Sequence, residues 1–174
     1  MKKRGQIWVE TVIYTLIAFV MIGLVLAYAK PKIEELQDKL IIEQSIALVK
    51  NIDSTILTMG GPGNQRILEI GIKKGTLTFN GEKDSLIFEM DSKYQYSEPK
   101  INISDGNLII LTEKKGENYK ITLTRDFEKN YNITYNGKSE SKSLGKSATT
   151  YKISISVSSP DSEETRNIID IKVI

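Results

Sequence analysis

Glu10 is the first carboxylate in this chain of 174 residues, and it stands five residues after Gly5 in the stretch KKRGQIWVE. The 19 residues that follow it, Thr11 to Ala29, carry no charge. An acid near the centre of such an apolar run costs a few kcal/mol, and one nearer the interface costs less. An approaching cation lowers that cost further, because opposite charge favours the ionised form. Gly5 marks a candidate cleavage point before Gln6, and hydrolysis there would create such a cation, the new α-amine of Gln6. The chemistry that the N-terminus suggests is therefore peptide cleavage followed by charge pairing.

Other reactive groupings carry less. Glu34 and Glu35 are adjacent, and adjacent residues on a helix point about 100° apart, so they read as a solvated face. Asp161, Glu163 and Glu164 fall in SPDSEET, which reads as an acidic turn, with a weak calcium site as the sharper alternative. The chain has no His and no Cys. That removes the commonest general base, thiolate metal sites and a disulfide scaffold. GGPG at Gly60 to Gly63 is not set between a strand and a helix as a phosphate-binding loop requires. No motif of an enzyme is present, and no cofactor or metal is expected. Asn102-Ile103-Ser104 and Asn132-Ile133-Thr134 are sequons for N-linked sugar.

The elements that must position these groups begin with a membrane-sized segment. Thr11 to Ala29 as a helix would be about 28 Å long, close to the hydrocarbon thickness of a bilayer. The net charge is +2, from 24 basic and 22 acidic residues. Taking Lys2, Lys3 and Arg4 from the 24 leaves 21 basic residues against 22 acidic ones. The basic excess is thus N-terminal, which suits membrane orientation and gives no reason to expect a nucleic-acid partner. It would hold the N-terminus in the cytoplasm and place the chain after Lys30 outside. Three readings fit such a segment. A plain single-span anchor has no use for Glu10. A secretory signal is supported by Ala27-Tyr28-Ala29, but the apolar run exceeds the usual length and Pro31 lies just beyond the cut. The third reading is a cleaved leader ending at Gly5.

That third reading carries a resemblance. KKRG-QIWVE with its following apolar run resembles a type IV prepilin leader, and most closely the archaeal class III signal peptides of pilins and archaellins. The resemblance covers Met1 to Ala29, about a sixth of the chain. It rests on Lys2, Lys3, Arg4 and Gly5, on Gln6 as the first mature residue, on Glu10 and on the apolar helix. Trp8 stands where a serine is frequent, and Tyr14 where a leucine is frequent. The resemblance implies a structural subunit of a surface filament, cleaved by a prepilin peptidase after Gly5. Its partners would be copies of itself joined through the N-terminal helix, the peptidase, and an assembly platform with its ATPase. Glu10 would meet the Gln6 amine of a neighbouring subunit and so fix one register, because a buried charge without its partner is costly.

The rest of the chain reads as α then β. Residues 32–58 make an amphipathic helix, with Ile33, Leu36, Leu40, Ala47 and Leu48 in a stripe that Ile52 and Ile56 extend. Pro31 either kinks one helix or opens a second. After a linker at 59–65 the period changes to two. YKITLT, YKISISV and IIDIKV alternate apolar with polar residues. Further strands are expected at 67–72, 76–79, 85–90, 101–103, 108–111 and 131–135. Asn80-Gly81, Asp105-Gly106 and Asn136-Gly137 separate them as turns. Residues 138–150 read as a loop or ragged hairpin. The expected fold class is α+β: a long helix, apolar at 6–29 and amphipathic at 32–58, followed by an antiparallel β-sandwich-like head at 66–174. The alternative to a filament subunit is a membrane-anchored surface protein whose β domain binds a partner and never polymerises.

Overall fold

The computed structural model describes residues 3–160 and 165–174, with side chains from Trp8 onward. The first element is one helix, α1 (Lys3–Thr58), which runs through Pro31. Proline lacks the N–H that would bond one turn back, so the helix loses a hydrogen bond there and still continues. Ten strands follow: β1 (Gln65–Ile70), β2 (Thr76–Asn80), β3 (Ser85–Ser92), β4 (Asn102–Asp105) and β5 (Leu108–Lys115), then β6 (Asn118–Asp126), β7 (Tyr131–Tyr135), β8 (Lys142–Gly145), β9 (Tyr151–Ser158) and β10 (Asn167–Val173). The fold class is α+β with a β-rich head.

The strands form two sheets. One has the order β1-β9-β10-β7, and the other β4-β5-β6-β3-β2-β8. Pairing is antiparallel except between β7 and β10, which run parallel. Local chemistry sets the turns. Asn136 and Gly137 both take positive φ, 51° and 74°, and close a two-residue turn between Tyr135 and Lys138. Both central residues of a type I′ turn need positive φ, which Asn and Gly accept most readily.

The chain divides into two compact units, residues 1–37 and Asp38–Ile174. In the second unit the end of α1 shares one apolar core with both sheets. Ile42, Ile46, Val49, Ile52, Ile56 and Met59 are buried together with Leu77, Phe79, Phe88, Ile121, Leu123, Ile153, Ile155, Ile169 and Ile171. Burying one such side chain contributes about 1.5–3 kcal/mol, while an exposed ion pair contributes about 0–1, so the apolar residues hold the helix in place.

Two details differ from the sequence reading. Ile33, Leu36, Leu40 and Ala47 are exposed, and Leu48 is half-buried; only Ile52 and Ile56 of that stripe are fully buried. The buried face is instead Asp38, Ile42, Ser45, Ile46, Val49, Ile52 and Ile56, and it includes a buried acid. The segment read as a loop or ragged hairpin contains β8, which pairs with β2, not with its chain neighbours, through four residues and buries one leucine, Leu144 opposite Leu77. The mixture of Ser, Lys and Gly around Leu144 hides the period of two.

Candidate functional site

Every side chain from Trp8 to Tyr28 is exposed, with Trp8 at 73%, Phe19 at 67% and Tyr28 at 76%. This helix is long and apolar enough to cross a membrane. Glu10 lies in its helical backbone and is exposed among Trp8, Val9, Val12, Ile13 and Tyr14. Thr11 and Thr15 also fall in this segment, and Thr15 Oγ1 returns its proton to the Thr11 carbonyl at 2.8 Å. That internal bond satisfies a hydroxyl that lipid could not. The backbone is helical from Lys3, while Lys2, everything beyond the backbone of Lys3, Arg4, Gly5 and Gln6, and the acidic stretch with Asp161, Glu163 and Glu164 lie outside the described residues.

Within the second unit, the seat of α1 is fastened by charge at both ends of its apolar stripe. Asp38 is buried, and its carboxylate accepts Lys74 Nζ at 2.5 Å and the Lys93 backbone N–H at 2.7 Å. Gly75 makes this reach possible. It takes a φ of 90°, and a Cβ there would stand 2.5 Å from the Glu89 carbonyl oxygen. Only glycine lets the chain turn into β2 directly after Lys74. Further along the helix, Asp53 accepts Arg125 Nε at 2.6 Å, and the Arg125 guanidinium lies 4.4 Å from the centre of the Phe127 ring. Lys50 meets Asp105 at 2.6 Å on the exposed rim. Buried Asp38 and half-buried Asp53 break the apolar pattern of α1, and their cationic partners lie 36 and 72 residues away. Helical periodicity alone therefore gives no signal for this seat.

Near Asp105, the Tyr96 hydroxyl is pushed up from its ordinary pKa, first by burial and then by the negative charges of Asp105 and Glu43. On β6, Lys120 is raised by its hydrogen bond to Glu89, 2.6 Å away. Neither group stands beside a nucleophile in a catalytic arrangement.

One cleft in the head is lined by several charged side chains. It measures about 680 Å³ and is lined by Glu82, Asp84, Asp126, Glu128 and Arg166. Two of its charges are paired with each other: Asp84 Oδ2 accepts Arg166 Nη1 at 2.8 Å, while Asp84 Oδ1 accepts the Ile133 backbone N–H at 2.8 Å. Among the described residues, no group of three or more acids is close enough to hold a metal ion.

No protein-family model matches this chain. Comparison with curated proteins and with solved structures likewise finds no match.

The two sequons sit on edge strands of different sheets, Asn102 on β4 and Asn132 on β7. Asn102 is exposed, whereas Asn132 is half-buried.

Proposed function

We propose that this chain is a pilin-like structural subunit of an archaeal type IV pilus or related surface filament. In this reading it enters the membrane through its apolar helix with the β head outside. A prepilin peptidase cuts after Gly5, and the mature chain polymerises through α1. Copies of the chain, the peptidase and an assembly platform with its ATPase are the partners.

One observation carries the reading: Glu10 stands near the N-terminal end of a helix, inside it, among apolar side chains that are exposed from Trp8 to Tyr28. A membrane anchor alone gives the acid no role. In a bundle of many such helices, the Gln6 amine of one subunit can neutralise Glu10 of its neighbour. The attraction between two charges is several times stronger in a medium of low dielectric than in water. It also selects one axial register, because any other leaves a charge buried without its partner.

Electron microscopy of cells carrying an epitope inserted at the exposed Gly137 turn tests this. Label along filaments supports a main subunit, and label at filament tips a minor one. Label confined to the envelope supports the anchored binding protein instead.

A further inference from the structure

The two sequons have different surroundings. Asn102 and Ser104 are both exposed on β4. This strand lies at the edge of its sheet and pairs with β5 alone, through four residues from Asn102↔Leu111 to Asp105↔Leu108. Alternate residues of a strand share a face, so Asn102 and Ser104 point the same way. Their cross-strand neighbours there are Leu111, half-buried, and Ile109, exposed. Ile103 points to the other face and is still 39% exposed. No side chain of β4 is fully buried.

Asn132 has the opposite setting. The next two residues, Ile133 and Thr134, are buried at 2% and 6% exposure. The Thr134 hydroxyl, which a sequon must present, donates to Asp170 Oδ1 at 3.0 Å. The Ile133 N–H donates to Asp84 Oδ1, which also holds β7 in place. To leave the sheet, β7 must expose a core isoleucine and break both bonds. β4 has neither constraint, and segments with few buried contacts open at the low end of a protein's range of local stabilities.

We propose that Asn102 is the glycan acceptor of the folded head and that Asn132 is not. The donor class is a sugar linked through phosphate to a membrane lipid. In the transfer, the Asn102 Nδ2 forms a bond to C1 of the sugar as the C1–O bond to phosphate breaks. The phosphate oxygen keeps the electron pair of that bond, and the amide nitrogen gives up one proton to a base of the transferring enzyme. A sugar on this outer face covers Ile109 and the open edge of β4, which otherwise offers unpaired backbone groups to any passing strand. The inference rests on the reading that the head lies outside the membrane.

The test uses the full chain purified from its native membranes and digested with trypsin. Peptides 101–114 and 130–138 carry one sequon each and are read separately by mass. A sugar mass on 101–114 is expected, with occupancy at least about tenfold above that of 130–138, since a difference of only 1.4 kcal/mol in opening already gives tenfold. Ser104→Ala is expected to abolish the modification, Ser104→Thr to keep it, and Thr134→Ala to leave it unchanged. Equal occupancy of both peptides would mean that transfer precedes folding and would overturn the proposal. The location is read independently with Ala148→Cys, an exposed position in a chain that has no cysteine of its own. Labelling of intact cells by a membrane-impermeant maleimide places the head outside. An unmodified Asn102 in a labelled protein overturns the glycan proposal alone. An unmodified Asn102 in an unlabelled protein overturns it together with the location.

Discussion

Asp53 accepts the Arg125 Nε–H at 2.6 Å across 72 residues of chain, and the two side chains are only 16% and 8% exposed. The pair joins α1 to β6, and Arg125 adds a contact with the Phe127 ring and a bond from Nη1 to the Asp126 carbonyl. Removing one partner of a buried pair leaves the other charge without compensation, at about 3–5 kcal/mol. Asp53→Ala is therefore expected to destabilise the head by about that amount, and Arg125→Ala by at least as much because its stem also packs on Phe127. Replacing both, as Asp53→Leu with Arg125→Met, removes the desolvation cost along with the attraction and is expected to be near neutral. Urea midpoints of the three variants in a chain beginning at Lys32 decide this. A double variant no more stable than the single ones would show that the charge pair adds stability beyond what packing can replace.

The shared core predicts where the chain can be shortened. The alternating strands alone suggest a head that folds from about Gly61. The structure places five helix side chains, Ile42, Ile46, Val49, Ile52 and Ile56, inside that head's core. A chain beginning at Gly61 loses about 1.5–3 kcal/mol for each of them, a sum that exceeds the stability of many domains. It is expected to aggregate, while a chain beginning at Lys32 is expected to be soluble and cooperatively folded. Circular dichroism and size-exclusion chromatography of the two compare them directly. A monomeric, folded Gly61 chain would show that the sheets close without the helix.

Much of this architecture was legible because alternation and turn chemistry agree locally. Tyr131–Tyr135 has the bounds that its pattern predicts, and Asn136-Gly137 turns where its residue types require. The phase of the helix was not legible. The segment carries two apolar stripes at helical spacing, one through Ile33, Leu36 and Leu40 and one through Ile42, Val49 and Ile56. Periodicity cannot say which one meets a sheet. The buried stripe also contains Asp38 and Asp53, whose presence makes it look polar until Lys74 and Arg125 are brought to them by the fold. β8 escaped notice because one leucine and four backbone pairings are enough to hold it against β2. Glu10 and the sequons were visible as positions, and the contrast between Asn102 and Asn132 needed the strand edges.

The loop after β3 carries a pH dependence. The Tyr96 pKa is raised, chiefly by burial and then by Asp105 and Glu43, with Lys50 opposing. A raised folded value means that the folded state holds the proton more tightly than the unfolded state does. Its contribution is fully present below the unfolded phenol value of about 10 and is lost as pH rises through the folded value. Above that pH, phenolate at position 96 is repelled by Asp105 and Glu43 and poorly solvated. Tyr96→Phe is expected to show a smaller loss of stability between neutral and strongly alkaline pH than the parent chain. Thermal midpoints across that range measure it, and parallel curves for the two proteins would remove Tyr96 from the account.

The sharpest prediction concerns Glu10. Glu10→Ala removes a charge from an apolar segment, so membrane insertion is expected to be intact or improved. Cleavage is expected to persist, since Lys2, Lys3, Arg4 and Gly5 are unchanged, and intact mass is expected to show a mature chain beginning at Gln6 with a free α-amine, because the cyclised form would carry no cation for Glu10. Assembly is expected to fall sharply. Each incoming subunit would bury its Gln6 amine without the carboxylate of a neighbour, at about 3–5 kcal/mol. That is roughly a hundredfold or more per subunit added, since 1.4 kcal/mol is about tenfold in an equilibrium. Glu10→Gln keeps the shape and an acceptor oxygen but no charge, and it is expected to lie between the two. The measurement is the ratio of sheared filament protein to mature protein retained in the membrane, compared across the parent, Glu10→Ala and Glu10→Gln. A parent that accumulates mature protein and sheds none would leave the anchored reading. Equal ratios in all three, with filaments present, would show that the polymer does not need the acid, and the register argument would fail even though the helix still assembles.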